Sequence, residues 1–443
     1  MRSLLYLTFL ICAATPLPTT QAADWPQFRG PHFNGSADET DLPTEWSYDS
    51  VKWTAELPGP SAATPAIWGN RIFVSSVDEK TNALSALCID RTTGEYLWRY
   101  DVQKGQPTHR DEYSNFASPS PATDGKAVYF FYGTGHLVSF GMEGNLNWTR
   151  NIATKYGEMA FLWTYAASPL LYKDRLYIPV LQRDVPVDGR GFADRKNESY
   201  ILAIDAATGT TVWRHIRPSL AQKESREAYS TPFPLETATA KALVIVGGDA
   251  VTGHDFKTGA ELWRWGTWNP ERITHWRLVP SPVAAPLDDV VLICAPKRKP
   301  VYAIRSDKTG KLGPDAVAWE SSKHRTLTSD VPTPAYYDGD FFILSDLRKS
   351  LSRVNPKTGD IKWTVKTPGK AKFEASPLVA DDKVYLVNFN GHVTIVDAKS
   401  GAVLNTVATE TLGDHPIRSS VVAAHGHLFL RFNRRLVCVG GSK

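Results

Sequence analysis

Ala203-Ile204-Asp205-Ala206-Ala207-Thr208-Gly209-Thr210-Thr211-Val212-Trp213 is a pattern that returns along this chain. Its core is Asp-x-x-Thr-Gly, with a tryptophan eight residues after the aspartate. Glycine adopts the positive φ of a tight turn, and the Asp side chain bonds the turn's own backbone. The pattern therefore predicts a β-hairpin whose second strand carries the tryptophan. Further copies are Asp90–Gly94 with Trp98, Asp255–Gly259 with Trp263, Asn355–Gly359 with Trp363, weaker ones ending at Trp148 and Trp319, and one with Asn405 in the Trp position.

A second marker, Ser/Thr-Pro, precedes an apolar stretch in each repeat. It occurs at Thr64-Pro65, Ser118-Pro119, Ser168-Pro169, Thr231-Pro232, Ser281-Pro282, Thr333-Pro334 and Ser376-Pro377, with a degenerate copy at Ser419-Ser420-Val421. The intervals of about 43 to 63 residues are typical of propeller blades. Between the markers lie short segments rich in β-branched and aromatic residues, without a sustained helical period.

These markers predict an all-β protein, an eight-bladed β-propeller of four-stranded antiparallel blades. A blade has two apolar faces, so a large flat side chain on its outer strand can pack between neighbours. We expect this docking role for Trp53, Trp98, Trp148, Trp213, Trp263, Trp319 and Trp363. The last repeat lacks an outer strand, and residues 51–57 lie ahead of the first marker. We therefore expect 51–57 to close the last blade, after an N-terminal arm at 24–50.

Composition and the N-terminus set the class of protein and its expected location. The chain has 443 residues, 22% charged and 42% hydrophobic, with a net charge of +4, which argues against a disordered or nucleic-acid-binding protein. Residues 1–23 have the layout of a secretory signal, followed by one propeller domain at 24–443. We expect a periplasmic or secreted monomer without a transmembrane segment in the mature chain. Cys88, Cys294 and Cys438 lie in apolar strand patterns and are expected to be buried thiols.

The repeats resemble the pyrroloquinoline quinone (PQQ)-like β-propeller repeat family, whose docking motif 203–213 matches throughout. The opening Asp24-Trp25-Pro26-Gln27-Phe28-Arg29-Gly30 is similar to the entry segment of exported bacterial members. The family contains the outer-membrane β-barrel assembly lipoprotein, which binds partner proteins, and the quinoprotein alcohol dehydrogenases, which hold PQQ and Ca2+ on the propeller axis. The resemblance therefore implies the fold and leaves two different functions open.

The chemistry of the residues favours binding over catalysis. The dehydrogenases carry adjacent cysteines beside the cofactor, and this chain has no Cys-Cys pair and no recognisable Glu, Asn and Asp ligand set. We therefore predict a non-catalytic exported scaffold that binds a protein or a cell-envelope polymer through one propeller face, with no cofactor and no metal. The alternative is a PQQ-dependent oxidoreductase acting on alcohols or sugars.

The segments entering the innermost strands converge on one propeller face and are the candidate site. Arg suits anionic groups there, and Trp or Tyr suits flat contacts. The other interpretation is that these side chains bond one another and hold the blades in register. The candidates are His109, Arg110, Asn115, Trp163, Tyr165, Arg226, Glu227, Tyr229, His275, Trp276, Arg277, Asp330, Glu374 and Arg418.

Overall fold

Eight antiparallel blades of four strands form the protein, arranged as a β-propeller, and the sheet of one blade carries a fifth, parallel strand. The computed structural model describes residues 23–105, 114–266, 268–409 and 412–440, so the predicted signal segment lies almost wholly outside the described residues. Helix in these residues is confined to α1 (Ala153–Tyr156) and three 3-10 turns (Tyr48–Ser50, Lys223–Arg226 and Pro314–Ala316). No described helix has the length and apolar character needed to cross a membrane.

The strands are numbered in chain order, beginning with β1 (Val51–Glu56). Blade 1 is β2 (Ala66–Trp68), β3 (Arg71–Asp78), β4 (Ala83–Asp90) and β5 (Tyr96–Gln103); blade 2 is β6 (Ala122–Thr123), β7 (Ala127–Phe131), β8 (His136–Gly141) and β9 (Leu146–Asn151). Blade 3 is β10 (Leu170–Tyr172), β11 (Arg175–Val180), β12 (Tyr200–Asp205) and β13 (Thr211–Ile216); blade 4 is β14 (Phe233–Glu236), β15 (Lys241–Gly247), β16 (Ala250–His254) and β17 (Glu261–Trp265).

The second half repeats the arrangement. Blade 5 is β18 (Val283–Ala285), β19 (Val290–Cys294), β20 (Val301–Arg305) and β22 (Val317–Glu320), and the intervening β21 (Gly310–Lys311) adds a fifth strand, parallel to β17, to blade 4. Blade 6 is β23 (Ala335–Tyr337), β24 (Asp340–Ser345), β25 (Ser350–Val354) and β26 (Ile361–Lys366); blade 7 is β27 (Leu378–Ala380), β28 (Lys383–Val387), β29 (Val393–Asp397) and β30 (Val403–Val407); blade 8 is β31 (Val422–Ala424), β32 (His427–Arg431) and β33 (Arg435–Gly440), completed by β1.

The predicted closure of the last blade by the N-terminal strand is confirmed. Strand β1 pairs antiparallel with β33, with Trp53 opposite Cys438 and Glu56 opposite Arg435. The backbone N–H of Leu57 donates to the carbonyl of Arg434 at 2.8 Å, so the contact extends to the end of the predicted segment. The two ends of the described chain thus share one sheet, which removes two exposed sheet edges.

Six tryptophans dock on the turn of the next blade, and the turn glycine makes room for them. Each indole N–H donates to the carbonyl of the residue after the turn's first residue, as Trp148 does to Ala206 at 3.0 Å. The facing glycines have φ between +72° and +88°, and a Cβ there would lie only 2.6–2.7 Å from the indole. The six pairs are Trp53–Gly94, Trp98–Gly144, Trp148–Gly209, Trp213–Gly259, Trp319–Gly359 and Trp363–Gly401.

Trp263 departs from the predicted docking. The turn that should receive it, in blade 5, is lengthened by the insertion that contains β21, and Gly310 pairs along the edge of β17 instead. The Trp263 indole packs on Gly253 of its own blade. Asn405, in the Trp position of blade 7, donates to the carbonyl of Thr44 at 3.0 Å, because blade 8 presents the closing strand rather than a turn.

A ring of hydroxyls joins the innermost strands around the axis. The backbone N–H of each Ser/Thr marker donates to the hydroxyl of the marker in the next blade, at 2.9–3.0 Å. The seven bonds run from Thr64 to Ser120, Ser168, Thr231, Ser281, Thr333, Ser376 and Ser420. The predicted marker of blade 2, Ser118-Pro119, was therefore wrong by two residues, and Ser120-Pro121 takes its place because only Ser120 reaches the neighbouring strand's N–H.

The N-terminal arm crosses the end of the propeller that lies beyond this ring, which we call the base. Trp25 exchanges two backbone hydrogen bonds with Ile67 of blade 1. Gln27 bonds both backbone groups of Leu171 in blade 3 at 3.0 Å. Arg29 then donates to carbonyls of blades 6 and 7, Pro334 at 2.7 Å and Pro377 at 3.0 Å. The arm therefore runs across the axis from one side of the ring to the other.

Candidate functional site

A cavity of about 540 Å3 lies on the propeller axis, a size typical of small-molecule sites. Its wall is built from the segment that leads into each innermost strand, so every blade contributes. Side chains alternate along an extended strand, and residues two apart share a face. The eight ring hydroxyls therefore form one layer, and the residues two positions earlier form the next: Ala62, Ser118, Ala166, Tyr229, Val279, Val331, Glu374 and Arg418.

The base of the cavity is formed by Phe28 of the arm. Its neighbours Gln27 and Arg29 are buried and anchored on opposite sides of the ring, as described above. Phe28 is only partly buried and lines the cavity. The arm therefore covers this end of the channel, and the cavity faces the opposite end, the mouth.

Charged and aromatic side chains are concentrated at the mouth. Arg277 lies with its Nε 3.8 Å from Glu224 Oε1, and the Trp163 indole N–H points at the same oxygen at 3.4 Å. Glu374 accepts from Arg418 Nε at 2.8 Å. Each carboxylate that lines the cavity is thus next to an arginine, and the arginines offer donors to an anionic group.

Six of the predicted site residues line the cavity, and six others are used inside the framework. Trp163, Tyr229, His275, Arg277, Glu374 and Arg418 line it. Asn115, Tyr165, Arg226, Glu227, Trp276 and Asp330 are bonded to or packed against neighbouring segments instead. His109 and Arg110 lie outside the described residues.

Glu227 shows what the framework residues do. Its carboxylate is fully buried, pairs with Arg183 and accepts from the Tyr229 hydroxyl at 2.5 Å and the Leu162 N–H at 3.1 Å. Burial raises the pKa of Glu227 despite these donors. Glu227 therefore fixes Tyr229 in place at the cavity wall. Its pairing with Arg183 also holds the long connection between β11 and β12 against this wall.

Asp330 and Asp346 are two neighbouring carboxylates beside the mouth. Asp330 accepts from the Lys297 N–H at 2.7 Å, and its own N–H donates to Asp346 Oδ1 at 3.0 Å. Burial raises the pKa of Asp346 to about 6, and the nearby Asp330 carboxylate adds to this. The pair orients Lys297, which lines the cavity.

Phe28, the ring hydroxyls, Glu224 and Lys297 line the cavity but are not among the residues predicted from the sequence. Phe28 was noticed only as part of a family-like segment, and nothing local in that segment predicts where the arm crosses. The Ser/Thr-Pro residues enter the sequence-based prediction only as markers of the repeat. Their regular recurrence was the signal that would have identified a continuous inner wall.

The described residues around the cavity do not supply the ligand set that PQQ with Ca2+ requires. Calcium requires several oxygen ligands, including carboxylates, at one point. In the described residues no group of three or more His, Cys, Asp or Glu side chains is placed to hold a metal, and both cavity carboxylates have an arginine nitrogen within 4 Å. Cys88, Cys294 and Cys438 are single buried thiols in separate blades. Burial raises the pKa of Cys88 and of Cys438 to about 12, so these thiols are unreactive.

Comparisons with known proteins give one family and several structural neighbours. The family profile described as outer membrane protein assembly factor BamB matches residues 44–183, 161–313 and 310–441. Quinohemoprotein alcohol dehydrogenase from Comamonas testosteroni is 14% identical at a TM-score of 0.68, over 95% of this chain and 81% of that one. BamB from Moraxella catarrhalis is 13% identical at a TM-score of 0.60, over 88% and 99%.

A europium-containing methanol dehydrogenase is 12% identical at a TM-score of 0.65, over 92% of this chain and 89% of that one. None of the curated proteins matches this sequence. At these identities, the structural neighbours establish the fold alone, and they include BamB as well as dehydrogenases.

Proposed function

The chain belongs to the family of the outer membrane protein assembly factor BamB, and on that premise we propose that it is a non-catalytic exported propeller that binds a protein or a cell-envelope polymer. The observation that carries the proposal is the axial cavity, lined by all eight blades and covered at its base by Phe28. A cavity open toward the mouth receives one segment of a ligand. The cavity lies at the centre of the closed ring, where all eight blades hold its wall.

The lining favours binding because it lacks an activated group. A nucleophile needs a base within hydrogen-bond reach, and a general base needs an available carboxylate or imidazole. Within the described residues no hydrogen bond joins His275 to a ring hydroxyl, and the ring oxygens already accept backbone N–H groups. The carboxylates of Glu224 and Glu374 each face an arginine.

The second candidate function is PQQ-dependent oxidation of alcohols or sugars, favoured by the fold shared with quinohemoprotein alcohol dehydrogenase. The two candidates differ in one measurement. Protein purified after expression of the full chain is titrated with PQQ and Ca2+, followed by tryptophan fluorescence, and then assayed for dye-coupled oxidation of alcohols and sugars. The binding proposal predicts no turnover. Saturable PQQ binding with turnover overturns it and supports the enzyme.

A cavity-filling variant tests whether the cavity is where the ligand binds. Ala62 lines the cavity, so Ala62→Trp places a bulky side chain in it. Leu287→Trp adds the same side chain at an 87%-exposed site on the base side and is the matched control. Binding to solubilised envelope polymer and to envelope proteins is compared for the three forms by biolayer interferometry. We expect loss for Ala62→Trp alone. Equal binding by all three forms contradicts the cavity as the site.

The expected location is tested separately. Osmotic-shock fractions of cells that express the full chain are probed for the protein, with cytoplasmic and periplasmic marker proteins as controls. Export predicts that the protein appears with the periplasmic marker or in the medium. Retention with the cytoplasmic marker contradicts the exported part of the proposal.

A further inference from the structure

The hydroxyl ring turns the inner wall of the cavity into a set of hydrogen-bond donors. Each hydroxyl oxygen of this ring, apart from that of Thr64, accepts one backbone N–H. In the part of the chain that the structure describes, none of the eight hydroxyls donates to a protein acceptor. A hydroxyl has one donor and two acceptor sites, so each keeps its O–H and a lone pair for a ligand. The wall therefore suits a ligand that is itself rich in hydroxyls.

Among the described residues that line the cavity, positively charged side chains outnumber negatively charged ones by three to two. Arg277, Lys297 and Arg418 line the cavity, against Glu224 and Glu374. Arg277 is loosely paired, because its Nε is 3.8 Å from Glu224, beyond hydrogen-bond distance. Its buried Nη1 has no hydrogen-bond partner among the described residues. Arg277 nevertheless lines the cavity, and a carboxylate that accepts two N–H groups of one arginine is a favoured geometry for an anionic ligand.

Aromatic side chains are the third feature of the cavity lining that bears on the ligand. Trp163 and Tyr229 line the wall near the mouth and Phe28 lines the base. The C–H faces of a pyranose ring are apolar and pack on aromatic faces, while its hydroxyls point outward to polar groups. The hydroxyls of a sugar both donate and accept hydrogen bonds, which matches the ring hydroxyls of the wall, each of which keeps an O–H and a lone pair.

Resting on the proposed function, we propose that the cavity binds the terminal unit of an acidic saccharide of the hexuronate class. Its carboxylate lies against Arg277, and its hydroxyls face the Ser/Thr ring. Because Phe28 covers the base, the cavity receives a chain end, and the rest of the polymer leaves through the mouth. This narrows the ligand from protein or envelope polymer to one chemical class.

The test is isothermal titration calorimetry of protein purified after expression of the full chain. The probes are galacturonate, trigalacturonate and glucuronate, with galactose and glucose as the neutral counterparts. We expect the acidic sugars to bind at least tenfold more tightly than the neutral ones, and binding to weaken as salt is raised. Trigalacturonate should bind more tightly than the monomer.

Arg277→Gln should weaken uronate binding at least tenfold, and Arg277→Lys should give an intermediate loss, because lysine keeps the charge without the two-pronged geometry. Arg305→Gln removes one exposed arginine from the base side of the same blade and is the matched control. It should bind as the unmodified protein does. Unchanged melting temperatures show that the three variants are folded.

Each other outcome overturns the proposal and is distinguishable from failure of the binding function. If neutral and acidic sugars bind with equal affinity and Arg277→Gln does not change that affinity, the preference for acidic sugars is refuted. Binding in the cavity still stands in that case if Ala62→Trp abolishes the binding of both sugars. Absence of uronate binding refutes the saccharide, and a peptide with a free C-terminal carboxylate is then the competitor to titrate. Dye-coupled turnover with PQQ refutes the binding function itself.

Discussion

Replacing Gly209 with alanine should cost far more stability than the same change at an equally twisted glycine without a tryptophan. Gly209 has φ +72°, and a Cβ there would lie 2.6 Å from the Trp148 ring. Gly339 has φ +74° with nothing within 4 Å of the added Cβ. The left-handed conformation costs a non-glycine residue about 1–2 kcal/mol at either site. Overpacking adds about 1–3 kcal/mol at Gly209 alone.

We therefore expect a loss of about 2–5 kcal/mol for Gly209→Ala and about 1–2 kcal/mol for Gly339→Ala. Urea unfolding followed by both circular dichroism and tryptophan fluorescence measures the two variants side by side. A second comparison uses Trp148→Ala, which removes the indole that a Cβ at position 209 would overlap. In that background Gly209→Ala should cost no more than Gly339→Ala. Equal losses for the two glycines in the unmodified protein, or no relief in the Trp148→Ala background, would refute the docking argument.

Three further changes test the ring, the closure and the buried acid. Ser281→Ala leaves the Thr231 N–H without its acceptor and should cost about 1–3 kcal/mol in urea unfolding, whereas Ser281→Thr should cost less. Deleting residues 51–57 should open the ring and cause aggregation or a large drop in melting temperature, and an almost unchanged melting temperature contradicts the closure argument. Asp346 has a pKa raised to about 6, so the stability it confers should fall as the pH rises from about 4 to 6. The free energy of unfolding of Asp346→Asn should therefore change less with pH over that range. Parallel pH profiles for the variant and the unmodified protein contradict this expectation.

The fold was predictable because the sequence signals that define a blade lie within one repeat. The turn glycine, the tryptophan four residues later and the strand between them all lie within one repeat, and strand alternation does the rest. The marker of blade 2 was the exception. Ser118 and Ser120 both precede proline, so local sequence fits either, and only the hydrogen bond from Thr64 selects Ser120. Trp263 was misassigned for a similar reason, since the insertion that displaces its partner turn lies in another blade.

Only about half of the predicted site residues line the cavity. The alternation of side chains along the extended segment explains most of the difference between those that do and those that do not. Counting back from the ring residue, even offsets face the channel, as Tyr229, Glu374 and Arg418 do at offset two. Odd offsets face the neighbouring blade, as Tyr165 and Asp330 do at offset three. The rule weakens with distance from the ring because the segments are irregular there.

Trp163, at the odd offset of five, nevertheless lines the cavity. Glu227, at the even offset of four, turns away to Arg183. Both belong to the side of the mouth where the β11–β12 connection packs, so a contact from another part of the chain overrides the alternation. Such a contact has no local signal in the sequence.

The residues that identify the family and the residues that select a ligand are therefore different sets in this protein. Turn glycines and docking tryptophans lie on the outer parts of the blades and would be the same whether the cavity held a cofactor or a polymer end. The even-offset residues that line the cavity take no part in the ring hydrogen bonds, which use only the marker's own hydroxyl and backbone. Arg277 can consequently change without loss of the fold, which is why its replacement tests the ligand rather than the propeller.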